Sequence, residues 1–483
     1  MIARRCALFA AALLSGCAVG PDFHTPAPPA QTAYDRQAPA PMAAPAGVAG
    51  GTQTLGAGAP QDGWWHAYGS PALDALVAEA LKANSDLAAQ RAALKIARET
   101  WLAARGVLVP QVDAGAGTSR NKSSQYLSPV LNATQFDFSL QTAQVSVGYM
   151  LDIFGLNRRT IEQNRAQYDA TAAQTDAARI TLVNNVAAAA FLDAGLRAQL
   201  AAQRRMIAIN RETLDILMRQ QAAGQAAGAD VLAQQAVLAQ AEAALPPLER
   251  AAAQARHLIA YLTGRSAANA LDAEVDLAAV TLPANLPLSL PSELVRQRPD
   301  IRAAEANLHA ASAGVGIAIA NRLPQLTLSA NAGGSSAGWS DILSATNSFW
   351  SVGAGLTAPI FAGGTLLHRQ RAARAAYEQA DAQYRSAVLG AFQNVADTLA
   401  ALRSDADALR ANQAARDAAD ASFAVTRHQF EQGQVPFASV LAAEQALRQT
   451  EQALVLAQVA RLTDTAALFQ ALGGGWQGAA SAP

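Results

Sequence analysis

The arrangement in this sequence that comes nearest to a catalytic motif is a serine between two glycines. Gly334, Ser336 and Gly338 match the pattern G-x-S-x-G, in which the serine of a hydrolase is held on a strand-to-helix turn as the nucleophile. Here the pattern lies between two segments of alternating polarity and no helix follows it, so the required turn is not predicted. The six histidines are scattered without metal-ligand spacing, and no phosphate-binding glycine loop occurs. The sequence therefore predicts no enzyme, no cofactor and no metal site.

The chemistry that the sequence does indicate is a covalent modification of Cys17. Residues 1–16 are typical of a cleaved secretory signal, because Arg4 and Arg5 precede a short apolar stretch that ends in small residues. The Leu-Ser-Gly-Cys segment at 14–17 resembles the bacterial lipobox, in which the signal is removed before the cysteine, which then carries lipid, including palmitate. Ala18 resembles the residue found there in lipoproteins of the outer membrane. An ordinary signal with an incidental cysteine is the alternative.

Signal removal leaves Cys17 as the only cysteine of the mature chain, so no internal disulfide is possible. Each acyl methylene in a bilayer contributes about 0.8 kcal/mol, so several acyl chains would anchor the protein firmly. The sequence is nearly neutral, with 36 Lys and Arg against 37 Asp and Glu, which argues against nucleic acid as a partner. The apolar content of 51% is largely alanine, which favours long, closely packed helices.

The elements that must position functional side chains begin with one very long helix. Thr365 to Gln432 contains no proline and a single glycine, Gly390. As one helix this stretch would be roughly 100 Å long. Apolar residues recur in it at alternating steps of four and three, which is the spacing of a coiled-coil seam. The seam consists of Val388, Phe392, Val395, Leu399, Leu402, Ala406 and Leu409.

A second copy of this helix lies earlier in the chain, from Arg158 to Ala223. Tyr168 matches Tyr377 at an offset of 209 residues, and Gln111 matches Gln325 at an offset of 214. Matches over this length indicate a tandem duplication, and two interlocked copies predict one architectural body. We divide the chain into a signal peptide (1–16), a lipidated tether rich in Pro, Ala and Gly (17–62), a first repeat (63–275), a second repeat (276–475) and a flexible tail (476–483).

Each repeat also contains two segments with the alternating polarity of β-strands. One begins at Gln111 or Gln325, after the first helix of the repeat, and the returns run through 143–149 and 350–357. At about 9 to 10 residues they have the length of tilted strands that cross a bilayer. Four strands enclose no lumen, so a pore built from them requires several copies, with the Gly, Ser, Thr and Asn faces inward. Soluble hairpins with one wet face are the alternative.

Each long helix ends at a glycine, and a second helix starts a few residues later. Gly224 and Gly433 occupy this position in the two repeats, and Pro436 precedes the second restart. Glycine just past a helix end and proline near a helix start are the ordinary chemistry of a helical hairpin. Because these tips lie at the end of the long helices opposite the strands, we expect them to be exposed to a binding partner.

Several motifs of the sequence together resemble the outer-membrane efflux factors, or TolC-like channels, and in particular their NodT-type lipoprotein branch. The resemblance implies a fold that is mainly α with transmembrane β: a homotrimer with a periplasmic helical barrel and a twelve-stranded outer-membrane barrel. It implies passive efflux of small molecules and drugs, with a periplasmic adaptor (membrane fusion) protein and an inner-membrane pump of the resistance-nodulation-division class as partners. The motifs are the lipobox with Val-Gly-Pro-Asp-Phe at 19–23, Trp64-Trp65, Asn84 to Leu87, Arg298 to Ile301 and both tips.

The resemblance also implies roles for residues at the tips. The adaptor contacts are expected at Gly224, Gly228, Gly433, Val435 and Pro436.

The gate of the channel is less clearly indicated. Many members of the family carry an acidic residue after the leucine of the second tip, whereas here Leu441 is followed by Ala442. The gate candidates are therefore Asp230, Ser439 and Glu444. Because charged rings set ion preference, we hypothesise that Asp230 lines the constriction.

Two functions other than an efflux channel are also compatible with the sequence. A periplasmic coiled-coil lipoprotein that acts as a structural spacer would need only the helices and Cys17. The outer channel of a type I secretion system would share the strands, but lipidated members of the family more often resemble drug-efflux channels. Bilayer-length strands with apolar faces favour a channel over a spacer.

Overall fold

A computed structural model describes residues 18–35, 40–122, 137–270 and 272–475. The predicted signal, Cys17 and the predicted tail 476–483 lie outside the described residues. The helices are α1 (Pro71–Ala83), α2 (Ser85–Arg105), α3 (Leu156–Ala222), α4 (Gly228–Leu262), α5 (Pro291–Gln297), α6 (Pro299–Ala320), α7 (Thr365–Glu431) and α8 (Phe437–Ala471). The strands are β1 (Met42–Ala44), β2 (Gly51–Ala57), β3 (Gln111–Lys122), β4 (Asp137–Leu151), β5 (Asn285–Leu288), β6 (Gln325–Ser336) and β7 (Ser348–Thr357).

The two long helices predicted from the duplicated runs are present and continuous. Helices α3 and α7 each have 67 residues, and the helices that return from them, α4 and α8, each have 35. In the predicted seam of α7, every residue except Phe392 is buried. The period of the apolar residues therefore identified the side of the helix that packs, and the equal lengths agree with a duplication.

The four predicted strands form a single antiparallel sheet in the order β3-β4-β6-β7. The hairpin of each repeat stays intact, and the repeats join where β4 pairs with β6. The strands have 12, 15, 12 and 10 residues, so three of them are longer than predicted. Pairing continues to Lys122 and Asp137, so β4 begins before the return segment predicted at 143–149. Arg120 Nε donates to Asp137 Oδ1 at 3.1 Å, which extends this hairpin.

The described chain divides into two units, each with its own packing. Unit 1 contains the four-stranded sheet and the helical segments 93–105, 156–171, 303–320 and 365–385, together with residues 18–26. Unit 2 contains 27–92, 172–302 and 386–475. In unit 2, the Trp64 ring stacks on Phe469 with centroids 5.0 Å apart, and the Tyr68 hydroxyl donates to the Leu462 carbonyl.

Part of the Pro, Ala and Gly-rich stretch is paired with the rest of the chain. Strands β1 and β2 form an antiparallel hairpin, and β2 pairs in parallel with β5 of the second repeat. Arg461 of α8 is fully buried beneath this hairpin and donates hydrogen bonds to three of its carbonyls, those of Met42, Ala49 and Gly51. The stretch lacked the apolar pattern of a folded segment, and many of the contacts that attach it are hydrogen bonds to distant residues.

Within the described ranges, no helix is both long enough and apolar enough to cross a membrane.

Candidate functional site

The two helical tips are closed by the same backbone motif. Gly224 and Gly433 have φ of 74° and 72°, the left-handed region that glycine adopts without strain. After α3, Gly224 N donates to the Gln221 carbonyl and Gln225 N to the Gln220 carbonyl. After α7, the residues from Gln429 to Gln434 repeat this pattern. This paired arrangement is the Schellman motif, which satisfies the last carbonyls of a helix.

An apolar cluster from both repeats supports the tips. Leu217, Val231, Phe437 and Val440 are buried together, and the Phe430 and Phe437 rings lie 5.2 Å apart. Among the predicted adaptor-contact residues, Gly224, Gly228, Gly433 and Pro436 are exposed and Val435 is half-buried. The apolar cluster packs beside them, and the exposed surface of the tips also includes the side chains of Gln221, Gln225, Gln432 and Gln434.

The three gate candidates have different surroundings. Asp230 is half-buried in the first turn of α4, where the helix dipole favours a carboxylate, and no ion pair is formed by it in the described part of the chain. Ser439 is half-buried in the first turn of α8. Glu444 is only 4% exposed. The structure therefore leaves Asp230 partly accessible and places Glu444 inside the packing.

Glu444 belongs to a polar cluster that joins three helices. Asn210 Nδ2 of α3 donates to Glu444 Oε1 at 2.9 Å, and Arg448 Nε lies 3.9 Å from the same oxygen. Gln234 Nε2 of α4 donates to Asn210 Oδ1 at 2.8 Å. Asn210 and Gln234 are both fully buried. We refer to Asn210, Gln234, Glu444 and Arg448 as the polar clasp.

Asn210 and Gln234 were not among the residues predicted from the sequence, although the position of Asn210 in α3 indicates a role in helix packing. Asn210 follows buried Met206 by four residues and precedes buried Leu217 by seven, so it occupies a seam position of α3. A polar residue at such a position fixes the register and partners of packed helices. The pairing of Asn210 with Glu444 was not predictable, because the two residues are 234 positions apart.

The sheet has one apolar and one polar face, as the alternation predicted. Ala114, Val145, Ala332 and Trp350 form one row across its four strands. The adjacent row, from Asp113 to Ser351, is polar throughout, with Ser146 and Asn331 between them. On edge strand β7, Trp350, Val352 and Leu356 are 79%, 76% and 68% exposed. These apolar side chains are uncovered in a single protomer.

The G-x-S-x-G segment is part of this sheet and its hairpin. Ser336 is the last residue of β6, and Gly338 leads into the short 3-10 turn Trp339–Asp341 before β7. The Gly338 N–H donates to Ser336 Oγ at 3.3 Å, so the serine closes a turn between strands. Within the described ranges, no three His, Cys, Asp or Glu side chains are grouped to hold a metal ion.

The model of the outer membrane efflux protein family matches residues 76–265 and 290–474. This chain belongs to that family. The two matched segments lie within the two predicted repeats and cover both long helices and all four strands of the sheet. Members of the family are channels, so the helices and the sheet are the parts of a channel wall.

Individual relatives agree with this assignment over nearly the whole chain. A pyoverdine export outer membrane protein of Pseudomonas putida is 28% identical over 90% of this chain and 93% of its own. A solvent efflux pump outer membrane protein of the same species is 29% identical over 97% of each chain. The solved structure of the outer-membrane channel OprN has 28% identity and a TM-score of 0.84, over 96% of this chain and all of that one. The family member described here is thus an outer-membrane efflux channel protein with the TolC-like fold.

Proposed function

We propose that this protein is the passive outer-membrane channel of a tripartite efflux system and works as a homotrimer. Its partners are a periplasmic adaptor and an inner-membrane pump of the resistance-nodulation-division class, and Cys17 carries lipid. The observation that supports the proposal best is the four-stranded sheet: it has one apolar face and ends in two unpaired edges, β3 and β7. Such a sheet is incomplete in one copy and forms a closed wall when copies are joined edge to edge.

The helices of unit 1 follow the same order as the strands. Helix α2 contacts α3 through the stacked rings of Trp101 and Tyr168, and α3 contacts α6 through Glu162 Oε1, which lies 2.9 Å from His309 Nε2. Arg322, just after α6, donates to Gln370 of α7. The order α2-α3-α6-α7 thus matches β3-β4-β6-β7. A second copy placed beyond α7 and β7 would supply its own α2 and β3, which is a head-to-tail contact that closes into a ring.

Equivalent residues of the two repeats differ in exposure as this arrangement requires. Phe154 follows β4 and is half-buried, whereas Phe361 follows β7 and is 91% exposed. Ile360 beside it is 99% exposed. The residues after β4 are therefore covered within the chain, whereas the residues after β7 need a neighbour. Three copies of four strands give a twelve-stranded barrel.

The exported compounds are small molecules, and selection among them resides mainly in the pump. The two relatives described above are named for different exported compounds, pyoverdine and solvents, at nearly the same identity to this chain. Channels of similar sequence that export such different compounds contribute little to the selection of the substrate. The tips supply the adaptor contact, since Gly224, Gly433 and Pro436 are exposed on a supported surface.

The proposal is tested by deleting the gene and complementing it with the full chain. We expect the deletion to lower the minimal inhibitory concentration of several unrelated drugs or solvents, and the wild-type chain to restore it. Detergent-extracted protein should have the mass of a trimer, and its intact mass should include acyl chains on Cys17. A protomer-sized particle with unchanged susceptibility to every compound would instead support the coiled-coil spacer. Restored export of a large protein, with no change for small molecules, would support type I secretion.

A further inference from the structure

Residues 18–23, which follow Cys17 in the sequence, pack against one place elsewhere in unit 1. The Val19 N–H donates to the Phe154 carbonyl at 3.1 Å. Arg159 Nε donates to the Val19 carbonyl at 3.2 Å, and its Nη2 donates to Asp22 Oδ1 at 2.6 Å. The residues that receive the segment are Phe154, Gly155, Arg159, His309 and Gly316, which we call the N-terminal docking site.

The docked segment completes the partners of a buried cation. The Arg159 side chain is only 5% exposed, and a buried guanidinium needs charged and hydrogen-bonding partners. Glu162 Oε2 provides one partner at 2.7 Å from Nη1. The Asp22 carboxylate and the Val19 carbonyl provide the others, and the hydrogen bond and charge of Arg159 lower the pKa of Asp22. Without the segment, the buried arginine would keep only Glu162 among these partners.

The docking site is also shaped for a close approach of two backbones. Gly20 has φ of 98°, and a Cβ on it would lie 2.4 Å from the Gly316 Cα of α6. A Cβ on Gly155 would lie 2.7 Å from the Ala18 Cα. The Phe23 ring stacks on His309 with centroids 4.4 Å apart and planes 10° from parallel. An ion pair, close backbone contacts and a ring stack thus hold the six consecutive residues 18–23 against the docking site.

We propose that this docking site fixes the lipid-bearing end of the chain at the boundary between β4 and α3, so that residues 18–23 are part of the folded body. Gly155, which Ala18 contacts, lies between the end of β4 at Leu151 and the start of α3 at Leu156. Cys17 directly precedes Ala18 in the sequence. The acyl chains therefore enter the bilayer beside the sheet. The docking site also links the repeats, because Arg159 belongs to the first and Gly316 to the second.

The test is the rate at which chymotrypsin cleaves after Phe23 in the full-length, detergent-purified protein, followed by mass spectrometry of the product that begins with His24. We expect slow cleavage in the wild type. Gly20→Ala and Gly316→Ala should accelerate it by roughly tenfold or more, because cleavage of a docked segment follows the population of its open form. Alanine ordinarily favours a helix interior, so faster cleavage in Gly316→Ala cannot come from a weaker α6.

Gly314→Ala is the matched control in the same helix. Its Cβ would meet only Gln163 Nε2, the end of a flexible side chain, at 3.3 Å. We expect wild-type cleavage from it. Equal rates in the wild type, Gly20→Ala and Gly316→Ala would overturn the proposal. If Gly316→Ala fails to fold, Asp22→Asn replaces it, since it removes the Arg159 ion pair from the segment alone.

The position of the lipid rests on the proposed lipidation of Cys17. Lipidation of Cys17 and docking of residues 18–23 are tested by separate measurements, so one can be wrong while the other holds. An intact mass without acyl chains would overturn lipidation while the cleavage rates still report docking. An acylated chain with a freely cleaved Phe23 in the wild type would overturn docking and leave the efflux function untouched.

Discussion

Arg461 carries its positive charge in the interior of unit 2, fully buried beneath the β1–β2 hairpin. Four hydrogen bonds to the hairpin hold the guanidinium, three to carbonyls and one to Gln53 Oε1 at 3.3 Å. Burial lowers the pKa of Arg461, and the nearby Asp405 carboxylate opposes that effect. A group that is costly to bury is thus stabilised by backbone acceptors of the N-terminal stretch. Removal of Arg461 is expected to detach the hairpin.

Asp405 beside Arg461 makes the stability of unit 2 depend on pH. Burial, together with a hydrogen bond and repulsion from Asp464, raises the pKa of Asp405 to about 7, against 3.8 in an unfolded chain. Between these values the folded state binds more protons, so this group's contribution is full below about pH 4 and is lost as the pH rises through about 7. We expect Asp405→Asn to raise the Tm at pH 8 by roughly 1 to 3 °C and to leave it nearly unchanged at pH 4.

Calorimetry of the purified protein at both pH values checks this expectation. Asp407→Asn is the matched control, because the Asp407 side chain is 72% exposed and pairs with Arg410 on the surface. An equal gain at pH 4 and pH 8 would show that proton binding by Asp405 is not the cause.

Asp230 and Glu444 were both gate candidates, and their surroundings predict opposite behaviour. Asp230 has no ion pair in the described ranges, whereas Glu444 accepts a hydrogen bond from Asn210 inside the packing. We expect Asp230→Asn to reduce cation preference in planar bilayers, because a charge that lines a constriction sets ion preference. Glu444→Gln should leave that preference unchanged. Unchanged preference in Asp230→Asn would exclude this residue from the constriction.

Glu444 should instead matter for stability. Glutamine keeps an Oε1 acceptor for Asn210, so Glu444→Gln is expected to change the free energy of unfolding little. Glu444→Ala leaves the buried Asn210 Nδ2 without its partner, at a cost of about 1–3 kcal/mol. Thermal unfolding of the two variants side by side measures the difference. Equal destabilisation by both would show that the carboxylate charge, and not the hydrogen bond, holds the polar clasp.

Two glycines of the second repeat, one at a tip and one inside a long helix, should respond oppositely to replacement by alanine. Gly433 has φ of 72° and open space around it, so alanine there meets only backbone strain, of about 1 kcal/mol. Gly390 lies inside α7 with open space around it, so alanine there should stabilise by about 0.5–1 kcal/mol. We expect Tm to fall in Gly433→Ala and to rise in Gly390→Ala. A rise in both would mean that the tip accepts alanine without strain, so that its backbone does not require the left-handed conformation at residue 433.

Elements with a local signal could be predicted from the sequence, and contacts across the chain could not. The seam from Val388 to Leu409 identified the packed side of α7 because the spacing of apolar residues is itself the periodicity of the helix. The tips were predictable because Gly224 and Gly433 end proline-free runs. The bond from Arg461 to Met42 spans 419 positions, and no local pattern contains it. The candidate site was therefore predictable as tips and strands, but the partners of Glu444 and Arg461 were not.

At the scale of the whole molecule, the duplication agrees with the proposed assembly of several copies into one channel. Each repeat contributes a strand hairpin and a helical hairpin, and β4 of the first repeat pairs with β6 of the second within the chain. The outer strand of the second repeat, β7, has no such partner in the described ranges, and the residues around Phe361 beside it are exposed. The proposed assembly would repeat between chains the contact between β4 and β6 that already exists inside one chain.

The exposed Phe361 side chain tests this account of assembly. Burial of a phenylalanine contributes about 1.5–3 kcal/mol, and a trimer contains three such contacts. We therefore expect Phe361→Ser to lower the temperature at which the detergent-purified trimer dissociates and to increase the protomer fraction in native mass spectrometry. Leu343→Ser is the matched control, since Leu343 is 86% exposed in the hairpin loop between β6 and β7, away from the edge that needs a neighbour. If both variants dissociate like the wild type, Phe361 does not lie between protomers and the head-to-tail contact must be placed elsewhere.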